Sequence, residues 1–310
     1  MTLTKYIRYL FEFILACLGL CVIPLLPRKW ITRLSAVMGN AAYSLSTKTR
    51  QTAISNLDTA FGSSLTVEEK QNIARESFRT FTLVMCDLFW FSLFTAKRIA
   101  TYVEFDNSFD CFLKSSPTIT IGAHIGNWEI LGLAVAFRGE PCLTITAPLE
   151  NPLIDKMLSR MRRITGLKLI PKEGAIKPLI KTLKAGGRIA MLIDQNILPE
   201  DGGVFVDFFG LPVPVTKAPA SLSSINDSAV VFIYCIADNR GFYRAYGVPV
   251  KEASAAPLDE VEMTRKIARI QEQEIRRNPG QWLWMYKRWK YIPDGAPESR
   301  YPSYAKRYKG

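Results

Sequence analysis

The sequence predicts an α/β fold: a mixed, mostly parallel sheet flanked by helices, with an N-terminal hydrophobic membrane-anchoring helix. Three observations carry this. From about residue 100 onward, short β-rich runs alternate with stretches of helical character, the pattern of a sheet covered by crossover helices. Residues 31–98 read as helices alone. The first 30 residues hold the most apolar stretch of the chain. With 310 residues, 48% of them hydrophobic, the chain can bury one large core. The division expected is an anchor at 1–30, a single domain at 31–293, and a basic, loosely ordered tail at 294–310.

The anchor is "LFEFILACLGLCVIPLL", Leu10 to Leu26, about 17 apolar residues or roughly 26 Å of helix, near the lower limit for crossing a bilayer. Glu12 and Pro24 weaken the case for spanning. Lys5 and Arg8 precede the segment and "RKWITR" follows it, so Lys, Arg and Trp bracket it as they do helices held at membrane interfaces. A cleaved signal peptide would need a small-residue site, and "PLLPRKW" does not supply one. Burial as a core helix is the remaining alternative.

Beyond the anchor, "SLTVEEKQNIARESFRTFTLVMCDLFWF" opens on Thr66 as a helix cap with an acidic first turn. Strands are expected at Thr118–Gly122, Cys142–Thr146, Arg188–Ile193, Ala229–Cys235 and Phe242–Val250. Between them, Asn151–Ile164 reads as a helix capped by Asn151 with Pro152 in the first turn, and Ala175–Ala185 as one ended by Gly186 and Gly187.

The formal charge of +12, from 40 Lys and Arg against 28 Asp and Glu, fits an acidic partner: nucleic acid, anionic lipid or an acidic carrier protein. Six cysteines without a CxxC pair, and one histidine in the whole chain, leave little from which to build a metal site. A reduced body facing the cytoplasm is the simpler reading.

That one histidine is His124, in "TITIGAHIGNWEI". It follows a strand, at the edge where α/β sheets gather ligands, and Glu129 comes five positions later in the first turn of a helix capped by Asn127. Two residues five apart on a continuous helix point about 140° apart, so His124 must lie in the loop if the two are to meet; Gly122 and Gly126 permit such a loop. A neutral imidazole beside a carboxylate is a general base for a hydroxyl. The structural alternative is a strand-end histidine satisfied by backbone groups.

The His124-x4-Glu129 pair in "GAHIGNWE" resembles the signature of the lipid A biosynthesis acyltransferases, the lauroyl and myristoyl transferases within the glycerolipid acyltransferase superfamily. "RQTAISNLDTAFG", "ENPLIDKMLSRMRRITG", "LIKTLKAGGRIAMLIDQN" and "GGVFVDFFGLPVPVTKAPASL" are similar to that family's successive blocks, and "NPGQWLWMYKRWK" to its closing W-x-W-x-H-x-R-x-K segment. Tyr286 stands where that segment usually has histidine, which removes a proton-handling group and leaves a hydroxyl able to hydrogen-bond. The resemblance implies transfer of a fatty acyl group from acyl carrier protein to a hydroxyl of a lipid A precursor. It implies His124 as base, Glu129 as its orienting carboxylate, and no cofactor beyond the carrier thioester. It also implies a bacterial inner-membrane location with the body on the cytoplasmic face.

Asp194, in "IDQN" after another apolar strand, is expected at the same sheet edge, and Asn127 and Asp194 are candidate substrate contacts. The resemblance also implies an arginine of "RMRR" at the site, and Arg162 is placed there to hold a substrate phosphate, with Arg160 and Arg163 as competitors and a purely structural cation at the helix C-terminus as the alternative. "WLWMYKRWK" reads as a mixture of core packing and a basic rim, with two alternatives: a strand with one buried Trp face and a solvated basic face, or a segment at a membrane interface. Interleaved aromatics and cations can also stack nucleic acid, but no nucleic-acid partner is expected. The alternatives to the lipid A reaction are acylation of another phospholipid or glycolipid, and a non-catalytic basic protein that binds membranes.

Overall fold

A computed structural model of the chain describes residues 3–309 apart from 165, 254, 256 and 257. The helical N-terminal third comprises α1 (Leu3–Val22), α2 (Arg28–Leu45), α3 (Thr47–Phe61), α4 (Val67–Trp90) and α5 (Thr95–Tyr102). Thr66 caps α4 as expected: its hydroxyl accepts from the Glu69 backbone N–H while the Glu69 carboxylate accepts from the Thr66 N–H, a reciprocal capping box.

The alternating region follows in the order β1 (Val103–Phe105), α6 (Asp110–Leu113), β2 (Thr118–Gly122), α7 (Trp128–Phe137), β3 (Cys142–Thr146), α8 (Pro152–Ile164), β4 (Lys168–Pro171), α9 (Ile176–Lys184), β5 (Arg188–Leu192), β6 (Gly203–Phe208), β7 (Leu211–Thr216), α10 (Ala218–Asn226), β8 (Ala229–Ala237), β9 (Tyr243–Lys251) and α11 (Glu260–Arg277). Seven strands form one sheet in the order β1-β9-β8-β2-β5-β3-β4. The run from β8 through β2, β5 and β3 to β4 is parallel, while β9 is antiparallel to β8 and carries β1 with it. The sheet is therefore mixed and mostly parallel, and the expected strands lie within a residue or two of the observed ones. The hairpin β6–β7, with Val206 opposite Val213, stands outside it.

Both faces of this sheet are covered, so its central strands are apolar on both sides. Along β8, Val230, Phe232 and Tyr234 enter one core with Ile119, Ile121 and the three tryptophans 282, 284 and 289. Val231, Ile233 and Cys235 enter the other, with Ile130 and Leu133 of α7 and Trp90 of α4. The two-residue period of the strand puts successive residues into different cores.

The closing segment has Trp282, Trp284 and Trp289 in the core and Lys287 and Lys290 at a basic rim, as expected, but two other readings fail. The closing segment 282–290 is not a strand: it is a succession of turns apart from one bridge, Ile125 to Trp282. Its basic face is not all solvated, because Arg288 is fully buried, donating from Nη1 to Asn196 Oδ1 at 2.9 Å and to the Pro214 carbonyl at 3.2 Å. Loss of hydration lowers its pKa to about 10. Only Lys287 and Lys290 face solvent. The tail is also packed rather than loose. β10 (Tyr291–Ile292) pairs with β11 (Lys306–Arg307), and Tyr301, itself buried, donates to the Pro212 carbonyl at 2.8 Å.

Candidate active site

Register alone brings two of the singled-out residues together. β2 and β5 are adjacent and parallel with Gly122 opposite Leu192, and the Ile193 N–H continues the ladder to the Gly122 carbonyl at 3.1 Å. Two residues further, His124 must stand beside Asp194. It does: His124 Nδ1 is 2.7 Å from Asp194 Oδ1, and the His124 backbone N–H donates to Oδ2 of the same carboxylate at 2.8 Å. Trp282 Nε1–H donates to that oxygen at 3.0 Å. Asp194 is buried, so three donors around it replace the water it has lost.

The loop carrying His124 is pinned on every side. The His124 carbonyl accepts from the Leu283 N–H at 3.1 Å, the Gly126 N–H donates to the Gln281 carbonyl at 2.7 Å, and the Asn127 N–H donates to the Cys235 carbonyl at 2.8 Å. Gly126 has φ +59°, and a Cβ there would lie 1.8 Å from the Cys235 carbonyl oxygen, so the close approach to β8 requires glycine. Gly122 is less demanding: a Cβ would meet Leu192 Cδ2 at 3.2 Å, with no left-handed conformation to satisfy. The Trp128 ring stands edge-on to the imidazole at 4.7 Å between centroids.

Burial disfavours the imidazolium, but the Asp194 carboxylate and, more weakly, Glu129 outweigh it, so His124 is raised above its ordinary 6.5. Burial likewise opposes the Asp194 anion; the His124 ring, its backbone N–H and the Trp282 indole prevail and hold Asp194 below its ordinary value. With Nδ1–H donated to Asp194, Nε2 is left as the basic nitrogen, the tautomer required of a general base.

Glu129 does not meet His124 in the way the His-x4-Glu spacing suggests. Its two oxygens receive the guanidinium of Arg162, Nε to Oε2 at 2.9 Å and Nη2 to Oε1 at 2.5 Å, a forked pair. Glu129 acts on the imidazole through space, while Asp194 makes the hydrogen bond. Of the three arginines of "RMRR", it is Arg162 that pairs with Glu129. Asn127 caps α7 as expected, its Oδ1 accepting from the Ile130 N–H at 3.0 Å. Its amide donates to Tyr243 Oη at 2.9 Å and to Asp87 Oδ2 at 3.3 Å, and the residue is 1% exposed. These bonds fix the loop from behind, and burial places Asn127 away from a substrate.

Two contributors escape sequence reasoning. Trp282 reads from alternation as core, and it is core, yet its indole N–H also fixes Asp194. Asn56 donates from Nδ2 to the carbonyls of Trp284 and Tyr286, both at 2.7 Å, fastening the closing segment to α3. Tyr286 hydrogen-bonds as expected of its hydroxyl, accepting from the Asn196 N–H at 3.0 Å two residues beyond Asp194.

Between α4, α7 and α8 lies an apolar cleft whose lining includes Leu88, Phe91, Leu133, Met161 and Arg162. Among the described residues no group of His, Cys, Asp and Glu is arranged to hold a metal ion.

Known proteins share this arrangement of sequence. The chain is 25% identical over 285 residues, covering 89% of it and 90% of the relative, to a lipid A biosynthesis lauroyltransferase of Escherichia coli K12. It is 26% identical over 234 residues, 74% of each chain, to a lipid A biosynthesis palmitoleoyltransferase of the same organism. A phosphatidylinositol mannoside acyltransferase of Mycobacterium tuberculosis H37Rv is 25% identical over 170 residues, 54% of this chain and 52% of that one. The family model described as bacterial lipid A biosynthesis acyltransferase matches residues 2–291, so the chain belongs to that acyltransferase family.

Proposed function

We propose that this protein transfers a fatty acyl group from acyl carrier protein to a hydroxyl of a lipid A precursor, at the cytoplasmic face of a bacterial inner membrane. The observation that carries the reading is the His124–Asp194 pair at the carboxyl edge of adjacent parallel strands, in a chain of an acyltransferase family. His124 Nε2 takes the proton of the acceptor hydroxyl as its oxygen attacks the thioester carbonyl; Asp194 stabilises the imidazolium. The tetrahedral intermediate then expels the carrier thiolate, which receives the proton from His124. The ester forms, the thioester breaks, and the base returns to its starting state. The net charge of +12 suits both an acidic carrier protein and a phosphorylated glycolipid.

Arg162, held by Glu129, is the cation that would meet the acceptor's phosphate. Truncating it forfeits charge-assisted hydrogen bonds of about 1.5–3 kcal/mol, so Arg162→Ala should raise KM for the lipid acceptor roughly ten-fold or more with a smaller effect on kcat. Arg162→Lys should not restore it, since a point charge cannot reproduce the fork. Equal losses in kcat and kcat/KM with KM unchanged would instead put Arg162 in the transition state only.

The test is direct. Purified protein, acyl carrier protein bearing a defined acyl chain and a lipid A precursor should yield a product heavier by one acyl group. The likeness to a phosphatidylinositol mannoside acyltransferase and the Tyr286 substitution support a second reading, acylation of a different glycolipid. Parallel incubations with phospholipid and mannosylated phosphatidylinositol distinguish the two: acylation of either, with the lipid A precursor untouched, would replace the first reading.

A further inference from the structure

The helix α1 is long enough to cross a bilayer, running with the turn after it over Leu3–Leu25, 23 residues, or about 34 Å. Its contacts point to a different use. Lys5, Arg8, Tyr9 and Glu12 share one face, and they face the loop that opens α8. Arg8 Nη2 donates to Glu150 Oε1 at 2.7 Å, Tyr9 Oη donates to the same oxygen at 3.2 Å, and Lys5 Nζ lies 3.5 Å from it. Asn151 donates from Nδ2 to the Tyr9 carbonyl at 3.0 Å and to Glu12 Oε2 at 2.9 Å. The other end is pinned too. A Cβ on Gly19 would touch the Phe89 ring of α4 at 3.6 Å, Arg98 donates to the Pro24 carbonyl at 2.6 Å, and the Trp90 indole donates to the Leu26 carbonyl at 2.9 Å. The helix therefore lies along the body and is held at both ends.

From Ile7 onward its outward face is apolar. Ile7, Leu10, Phe11, Ile14, Leu18 and Val22 are each 41% or more exposed, and at about 100° per residue they fall within an arc of roughly 120°, opposite the docked face. Lys29, Trp30 and Arg33 follow at the surface. Were the helix to cross a bilayer with Ile14 at its centre, Glu12 would lie about 3 Å and Arg8 about 9 Å from the midplane, at 1.5 Å per residue, with Glu150 carried in beside them. Charges at that depth cost several kcal/mol each. Shifting the charged turn into the interface leaves Phe13 to Leu26, about 21 Å, to cross some 30 Å of hydrocarbon.

We propose that α1 is an in-plane membrane helix: it lies at the headgroup boundary of one leaflet with its apolar stripe immersed, its polar face clamped to the body, and Lys29 and Arg33 on anionic headgroups, the chain staying on one side. The inference rests on reading the acceptor as a membrane lipid. It adds a consequence for the site. Asn151, gripped by α1, also caps α8, its Oδ1 accepting from the Leu153 N–H at 3.1 Å, and α8 carries Arg162. Docking on the leaflet thus fixes the cleft edge against the surface from which the acceptor comes.

The test uses the full-length chain with Cys17→Ser and Cys21→Ser, spin-labelled through Ile7→Cys, Ile14→Cys or Val22→Cys, on vesicles of three parts phosphatidylethanolamine to one part phosphatidylglycerol. Oxygen and nickel-chelate accessibilities give the depth of each label. Three similar, shallow depths are expected. A profile deepest at position 14, with 7 and 22 near opposite surfaces, would overturn the proposal, as would failure of the protein to bind these vesicles. Since no turnover is measured, a failed acyl-transfer assay leaves this result standing, and a spanning helix leaves the proposed reaction standing.

Discussion

Asp194→Asn should cut the rate of acyl transfer by about 10²–10⁴-fold, the span attributed to a positioned general base, with little change in stability. The substitution is close to isosteric, so the strand-end geometry survives. The asparagine amide can donate to Nδ1, which would move the imidazole proton to Nε2, the nitrogen that must accept the hydroxyl proton. The pH profile adds an independent readout. Activity requires the neutral ring, so it falls as pH drops through the His124 pKa, which Asp194 and Glu129 together hold above 6.5. Removing the Asp194 charge must move that acid limb to lower pH. A variant with the wild-type rate and an unmoved acid limb would show that Asp194 neither orients nor charges the base.

Gly126→Ala should be the most damaging small substitution in the site. The left-handed backbone at φ +59° costs a residue with a Cβ about 1–2 kcal/mol, and the Cβ would also stand 1.8 Å from the Cys235 carbonyl oxygen, which no rotamer relieves. Either the loop or β8 must move, and the loop carries His124. Gly202→Ala is the control, left-handed at φ +86° and ψ +21° with nothing within 4 Å of its Cβ, and should lose only the backbone contribution. Thermal unfolding of both variants, with kcat measured alongside, separates strain from collision. Equal losses in the two would mean that the approach to β8 is not tight.

Much of this was legible in the order of residues, for identifiable reasons. β2, β3 and β5 are short apolar runs closed by Gly, Pro or a polar turn, and α8 has Asn151 and Pro152 at its start, so local chemistry marks their ends. His124 and Asp194 could each be placed at the carboxyl edge of a strand. What the sequence does not contain is which strands are neighbours. Only the adjacency of β2 and β5 turns an offset of 70 residues into a hydrogen bond, and without it the near carboxylate, Glu129, is the natural partner for His124. Glu129 is drawn instead to Arg162 across α7 and α8, a contact between elements that spacing along one chain does not report. Arg288 misled for a related reason: in a run of Trp and Lys it reads as a solvated cation, whereas the turns at 283–290 fold it under the hairpin β6–β7, where Asn196 and Pro214 accept its protons.

The most direct test of the central claim, that His124 is the base of a lipid A acyl transfer, is a mass spectrum of lipid A from cells lacking the gene and complemented with either wild type or His124→Ala. One acyl group should be missing in the deletion strain, return with the wild type and stay absent with His124→Ala at equal protein level. Lipid A of unchanged mass in all three strains, or full restoration by His124→Ala, would contradict it.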